Sequence, residues 1–385
     1  MKMSKSSQTE KSITNLEATI KENAKRAESE YDKLREELRI KYAPEKEPYY
    51  WKKWILDFWN TDETKLPLLF RLTLLYFRER WRTMIRVLEA FSGMGAQHKA
   101  LKRIGIDYEV VGTLEINPTA IKAYQLLHGK DIKNFGDISK VDPKDIPPFD
   151  FMSYSSPCQS LSMAGKREGL KKGSGTKSSL LWECDKLIDY HRPKYIMMEN
   201  VEAIVSDKYK KDLTAWKEIL QSYGYNNYSY TLNARDFGVP QNRQRFFLVS
   251  ILKEHDYGYD DASIFEEGNF NLHYKKKKPK LKSIMEKGSI EDYYYNIPEN
   301  LRKRGGKVHN RYFNENQVIG TLTTRMYQAW NCGFIIDKRG ERYVTPKEAV
   351  RLMGFDDTDY DKLKDAGLSK HQITKLCGNS IVVNV

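Results

Sequence analysis

Arg86-Val-Leu-Glu-Ala-Phe-Ser-Gly-Met-Gly95 is the stretch on which the fold turns. Arg86–Ala90 reads as a short buried strand, Phe91–Gly95 as a bend, and Gln97–Ile104 as a helix. Glycines at such a bend let a ligand come close to the backbone. The N-terminus of the following helix adds dipoles that favour a carboxylate or a phosphate. A dinucleotide-binding bend would carry Gly or Ala three residues after its second glycine. His98 stands there instead, which argues against a nicotinamide dinucleotide.

The same alternation continues outward from this stretch. Glu109–Glu115, Phe151–Tyr154, Tyr195–Glu199, Tyr228–Asn233 and Phe246–Ile251 have strand character. Pro118–His128, Ser179–His191 and Lys211–Tyr223 have helical spacing. Strands alternating with helices predict an α/β fold with a doubly wound, mostly parallel sheet. Ligands then bind beyond the carboxyl ends of the strands. This pattern fills residues 84–252. Residues 253–340 lose it, being rich in Tyr, Asn, Lys and Gly, and read as a smaller irregular domain. Residues 341–385 return to helix at Thr345–Met353 and complete the first domain. Residues 1–83 form a helical extension. In it Ile20, Ala27 and Leu34 interleave with Ala24, Tyr31 and Leu38 as a heptad-like stripe. The stripe suits either a coiled-coil arm or an amphipathic helix lying on its own domain.

Lys and Arg outnumber Asp and Glu by 65 to 52, so the formal net charge is +13. A surplus of that size fits a polyanionic partner, nucleic acid above all. Cys158, Cys184, Cys332 and Cys377 make no CxxC or other metal-ligand spacing, so a zinc site has no support. The polar start lacks a signal peptide, and the most apolar run, Leu66–Phe77, contains Arg71 and is too short to span a bilayer. The expected location is the cytoplasm, at the nucleoid, with free thiols.

Several strand ends carry chemistry. Glu115 lies twenty residues after Gly95 and suits the two hydroxyls of a ribose. Asp137 suits an adenine amino group or, equally, a turn. Cys158 follows Phe151–Tyr154 in Ser155-Ser156-Pro157-Cys158-Gln159, where an exposed thiolate would act as nucleophile. Glu199 ends an apolar strand, a place for a proton donor. Gln241, Arg243 and Arg245 share one face of an extended segment and would orient a carboxylate, a phosphate or a base carbonyl.

Taken together, EAFSGMG (89–95), TLEINP (113–118), GDI (136–138), SSPCQSLS (155–162), MMENV (197–201), QNRQR (241–245) and CGNS (377–380) resemble the DNA cytosine-5 methyltransferase family of bacteria and phages, in the family's order. The resemblance covers about 84–252 and 341–385. It implies a Rossmann-like methyltransferase domain that uses S-adenosyl-L-methionine. Phe91, Gly93, Gly95, Glu115, Asp137, Asn379 and Ser380 would contact that cofactor. Cys158 would attack carbon 6 of a flipped cytosine, and Glu199 would hold or protonate ring nitrogen 3. Arg245 would bind the cytosine carbonyl, with Arg243 positioning Glu199 and its loop. The glycine-hinged basic loop after Cys158 would close over DNA as a lid. Residues 253–340 would be the target-recognition domain. Gln159, Lys166, Gln241, Thr321 and Arg325 are candidate contacts to double-stranded DNA, and Arg302, Lys303, Arg304, Tyr312 and Tyr327 are further basic and aromatic candidates.

The chain departs from the family in residues 1–83 and in stopping at Val385, before a helix the family usually adds. The apolar run around 51–82 is read as covering the surface that helix would cover. Competing functions are a tRNA cytosine-5 methyltransferase and a catalytically inactive DNA-binding regulator. Residues 253–340 favour duplex DNA over tRNA, and the intact Cys158, Glu199, Arg243 and Arg245 count against the regulator. A monomer on DNA is expected, either with a cognate restriction endonuclease as a partner in a restriction–modification system or acting alone.

Overall fold

The computed structural model describes residues 84–157, 177–256, 279–299, 301, 312–328 and 332–385. The stripe of residues 1–83, the apolar run around 51–82 and the Lys275–Lys278 run lie outside these residues. So do Cys158, Gln159, Lys166 with the lid loop, and Arg302, Lys303 and Arg304.

Six strands form the main sheet: β1 (Ile85–Ala90), β2 (Tyr108–Leu114), β3 (Phe151–Tyr154), β4 (Tyr195–Val201), β5 (Tyr225–Asn233) and β6 (Gln244–Leu252). Their order is β2-β1-β3-β4-β6-β5. Four strands, β2, β1, β3 and β4, are joined by parallel pairings, as expected. β6 runs antiparallel to both β4 and β5, so it alone is reversed. The cause is chain length. Only residues 234–243 separate β5 from β6, and a parallel return needs about a dozen residues or more. The reversal has a consequence for chemistry: the start of β6, not its end, lies at the ligand edge.

Both faces of the sheet are covered. Alternate residues of β6 show it, with Phe246 and Leu248 in one apolar cluster and Phe247 in another. The first face packs α3 (Glu183–His191) and α4 (Asp207–Ser222), led by the fully buried Trp216, whose indole donates to the Tyr154 hydroxyl at 3.0 Å. The second face carries α1 (Ala96–Ile104) and α2 (Pro118–His128). It also carries α5 (Pro346–Leu352), α6 (Asp357–Asp365) and α7 (Lys370–Asn379). α2 starts where Asn117 accepts from the amides of Thr119 and Ala120, with Pro118 in the first turn. Thr345 and Ser369 close capping boxes at α5 and α7.

A second sheet of three short strands, β7 (Tyr312–Phe313), β8 (Phe334–Asp337) and β9 (Gly340–Arg342), spans the irregular segment and the start of residues 341–385. The irregular segment shares a small cluster, around Tyr294 and Phe334, with Tyr343 just beyond it. Its residues Leu281, Ile319, Leu322 and Ile335 join the core of the second face. No helix among the described residues is long and apolar enough to cross a membrane.

Candidate active site

The bend after β1 is built from left-handed backbone. Phe91, Gly93 and Gly95 all have positive φ, at 54°, 56° and 77°. Gly95 has no room for a side chain, since a Cβ there would stand 2.4 Å from His128 Nε2. Gly93 faces open space. The Gly93 amide donates to Glu115 Oε2 at 3.0 Å, and the amides of Ile116 and Asn117 donate to Oε1 at 2.9 and 2.8 Å. The carboxylate is therefore fixed at the end of β2 with an acceptor site left over on Oε2. The Asn134 side chain holds it there, bonding both backbone groups of Glu115. Ser92 Oγ is buried with no protein partner among the described residues. A fixed carboxylate, an open glycine and an orphaned hydroxyl at one bend fit the polar nucleoside and amino-acid parts of S-adenosylmethionine.

Asp137 serves partly as a turn residue. Its Oδ1 accepts from the hydroxyl and amide of Ser139, which hold its carboxyl below the usual range. Asn379 and Ser380 end α7, Asn379 exposed and Ser380 buried. Sequence reasoning passed over Ser92, Asn134 and Ile116, which exposes an aliphatic side chain directly after Glu115.

Beneath the bend lies a buried polar cluster that sequence reasoning also missed. Tyr124 donates to the fully buried Glu89, and His98 Nδ1 lies 2.9 Å from the Tyr124 hydroxyl. His128 stacks on His98 at 4.2 Å and donates to the Met94 carbonyl. Burial pushes Glu89 up to about 7 and holds His98 at about 3 and His128 at about 4. For an acid raised from 4.5, stability is fully present at low pH and declines as pH rises from about 4.5 to about 7. Both histidines work the other way, costing stability as pH falls below 6.5. Glu89→Gln removes only the first effect. Its stability relative to wild type is expected to rise by about 2–3 kcal/mol between pH 5 and pH 8. Urea unfolding at several pH values reads this, and parallel profiles for the two proteins would contradict it.

The second half of the site lies at the ends of β3 and β4 and the start of β6. Tyr154 pairs with Met198, so Ser155 comes abreast of Glu199 just past the end of β3. Arg245 pairs with Val201, diagonal to Glu199 across the β4–β6 ladder. Glu199 is 7% exposed. Its Oε1 lies 3.2 Å from Arg245 Nε, and its Oε2 accepts from the Ser155 hydroxyl at 2.8 Å. Asn200, next in the strand, donates to Ser156 Oγ at 3.1 Å and so ties residues 155–157 to β4. The arrangement offers a shielded carboxyl, able to hold or pass a proton, beside a guanidinium that suits a carbonyl oxygen.

Gln241 and Arg243 are placed differently from the expectation. Gln241 is fully buried, donating to the Leu352 carbonyl and accepting from the Leu322 amide. It has no surface for DNA, and it grips the segment containing Thr321 instead. Arg243 is also buried and donates to the carbonyls of Leu322, Gly378 and Ser380. It thereby joins the Thr321–Thr324 segment to the C-terminal end of α7. Gly378 allows that contact, since a Cβ there would stand 2.4 Å from the backbone of Thr323 and Thr324. Thr321 donates to the Asn242 carbonyl at 2.6 Å, while Arg325 is exposed.

A sheet of this topology with a glycine bend after β1 and a carboxylate after β2 has the form of an α/β domain that binds a nucleoside cofactor at the carboxyl ends of its parallel strands. Solved structures of the same fold are the S. pombe Dnmt2 methyltransferase and a Spodoptera frugiperda DNMT2 mutant. The first has a TM-score of 0.60 at 22% identity, covering 78% of this chain and 95% of that one. The second has a TM-score of 0.64 at 20% identity, covering 78% and 96%. Residues 85–385 match the C-5 cytosine-specific DNA methylase family, and the chain belongs to that family. It is 34% identical over 364 residues to the type II methyltransferase M2.ScrFI of Lactococcus lactis subsp. cremoris, covering 78% of this chain and 97% of that protein. It is 31% identical over 380 residues to the orphan methyltransferase M.SssI of Spiroplasma monobiae, covering 78% and 95%.

Proposed function

We propose that this enzyme methylates carbon 5 of a cytosine flipped out of duplex DNA, with Cys158 as nucleophile and Glu199 and Arg245 holding the base. The observation that carries this reading is the shielded Glu199 carboxyl, bonded to Ser155 and paired with Arg245 at the edge where β3 runs toward Pro157. Carbon 5 of cytosine is a poor nucleophile. Addition of the Cys158 thiolate to carbon 6 makes it the end of an enamine. Glu199 donates to ring nitrogen 3 as electron density leaves the double bond, and Arg245 steadies the carbonyl oxygen. S-adenosylmethionine supplies an electrophilic methyl group when bound. Loss of the carbon 5 proton to a base, departure of the thiolate and return of the nitrogen 3 proton to Glu199 restore the aromatic ring. None of this is possible inside a stacked duplex, so the base must leave it.

Phe91, Gly93, Gly95, Glu115, Asp137, Asn379 and Ser380 hold the cofactor in this reading, and Ser92 joins them. Residues 84–252 and 341–385 form the catalytic domain, 253–340 recognise the target, and 1–83 are an extension. Thr321 and Arg325 stand on a segment anchored by Gln241, Asn242 and Arg243, which suits them to meet DNA at a fixed height. The finer reading has one copy of the chain engaging one duplex site, which a cognate restriction endonuclease would share.

The test uses labelled S-adenosylmethionine and unmethylated genomic DNA, followed by base-resolved sequencing. The expected result is 5-methylcytosine confined to one short sequence context, which identifies the recognition site. Cofactor binding with no label in DNA, but label in tRNA, would overturn the substrate assignment.

A further inference from the structure

The register of the sheet places a second side chain, beside Arg245, on the Glu199 carboxyl. Met197 packs on the second face of the sheet and Met198 on the first, so the strand pleat directs Glu199 to the second face. Phe247 lies on that same face, and with it Arg245 two residues away. Tyr154 belongs to the first face, so Ser155, one residue on, also turns to the second. Three strands therefore deliver Ser155, Glu199 and Arg245 to one spot.

We propose that Ser155 is a positioning residue for Glu199, acting on the base through that carboxyl and not by touching it. The inference rests on the reading of Glu199 as the group that meets ring nitrogen 3. The ion pair with Arg245 reaches Oε1, its Nε standing 3.2 Å away. The terminal torsion of a glutamate is broad and roughly twofold, so one partner leaves the carboxyl free to turn. Ser155, at 2.8 Å from Oε2, fixes the second oxygen and hence the plane. A hydroxyl has one donor and two acceptor sites. The contact therefore persists by rotation of the hydroxyl whether or not Glu199 carries its proton. The serine is itself held in place, because Asn200 bonds both the hydroxyl and the carbonyl of the adjacent Ser156.

The experiment measures single-turnover and steady-state methylation of duplex DNA by five full-length proteins. They are wild type, Ser155→Ala, Ser155→Thr, Glu199→Gln and the Ser155→Ala/Glu199→Gln double variant. Loss of a hydrogen bond to a charged group corresponds to about a ten- to hundredfold fall in kcat for Ser155→Ala. KM for DNA and for cofactor should stay within about twofold, and Ser155→Thr, which keeps the hydroxyl, should recover most of the rate. The double variant should be no slower than Glu199→Gln, because a side chain that cannot pass a proton gains no rate from being oriented. Multiplying losses in the double variant, wild-type rates for Ser155→Ala, or no recovery with threonine would each overturn the proposal. A Ser155→Ala protein melting well below wild type would assign the residue to the fold instead. Full activity in Glu199→Gln would defeat the underlying reading of Glu199, which is a separate and distinguishable result.

Discussion

Glu199→Gln is expected to lower kcat by about a hundred- to ten-thousandfold, the usual worth of a positioned proton donor. Glutamine keeps the volume of the side chain and can still meet both neighbours. Its oxygen can accept from Arg245, and its amide can donate to Ser155. It cannot pass a proton to ring nitrogen 3, so the substitution separates proton transfer from packing. Cofactor affinity should stay within about twofold, because the Glu115 and Gly93 contacts belong to other strand ends. Single-turnover methylation with labelled cofactor, beside calorimetric titration of the cofactor, measures both quantities. A variant as fast as wild type would contradict the role given to Glu199.

Arg342→Met is expected to destabilise the fold by about 3–5 kcal/mol. Arg342 and Glu348 are 1% and 0% exposed and form a two-pronged pair at 2.8 Å on each prong. Arg342 also meets Asp337 at 2.6 Å and the Tyr343 carbonyl at 3.0 Å. Glu348 accepts in addition from the amides of Thr345 and Glu286. The pair thus ties β9 to α5 and to the chain before β7. Methionine fills most of the space but leaves Glu348 as a buried charge without its counter-ion. Equilibrium unfolding in urea should show a lower midpoint with an unchanged slope. An unchanged midpoint would mean that the ion pair is replaceable by apolar packing.

β1, β3 and β4 were legible because both faces of the sheet are buried, so each reads as a short, largely apolar run. Phe151–Tyr154 and Pro118–His128 fall where the sequence places them. Strand direction was not legible, because periodicity reports faces and says nothing of heading. The reversal of β6 follows from the short connection 234–243, not from its side chains. The family motifs pointed to the Glu199–Arg245 neighbourhood, but not to what Gln241 and Arg243 do. Polar side chains two residues apart look alike in sequence whether they face solvent or buried carbonyls. Arg243 turns out to hold Leu322, Gly378 and Ser380, which come from two distant segments. Ser155 and Glu89 were missed for a related reason. A serine two residues before a Pro-Cys pair and a glutamate inside an apolar strand gain meaning only from strand register and burial.

The most direct test of the central claim uses a duplex carrying 5-fluorocytosine at the methylated position. Fluorine at carbon 5 cannot leave as a proton does, so a thiol that has added to carbon 6 stays attached after methyl transfer. Peptide mass spectrometry should find the modified nucleotide on the peptide containing Cys158, only when S-adenosylmethionine is present, and not in Cys158→Ala. An adduct on Cys184, Cys332 or Cys377, or methylation of ordinary cytosine by Cys158→Ala at the wild-type rate, would contradict the account.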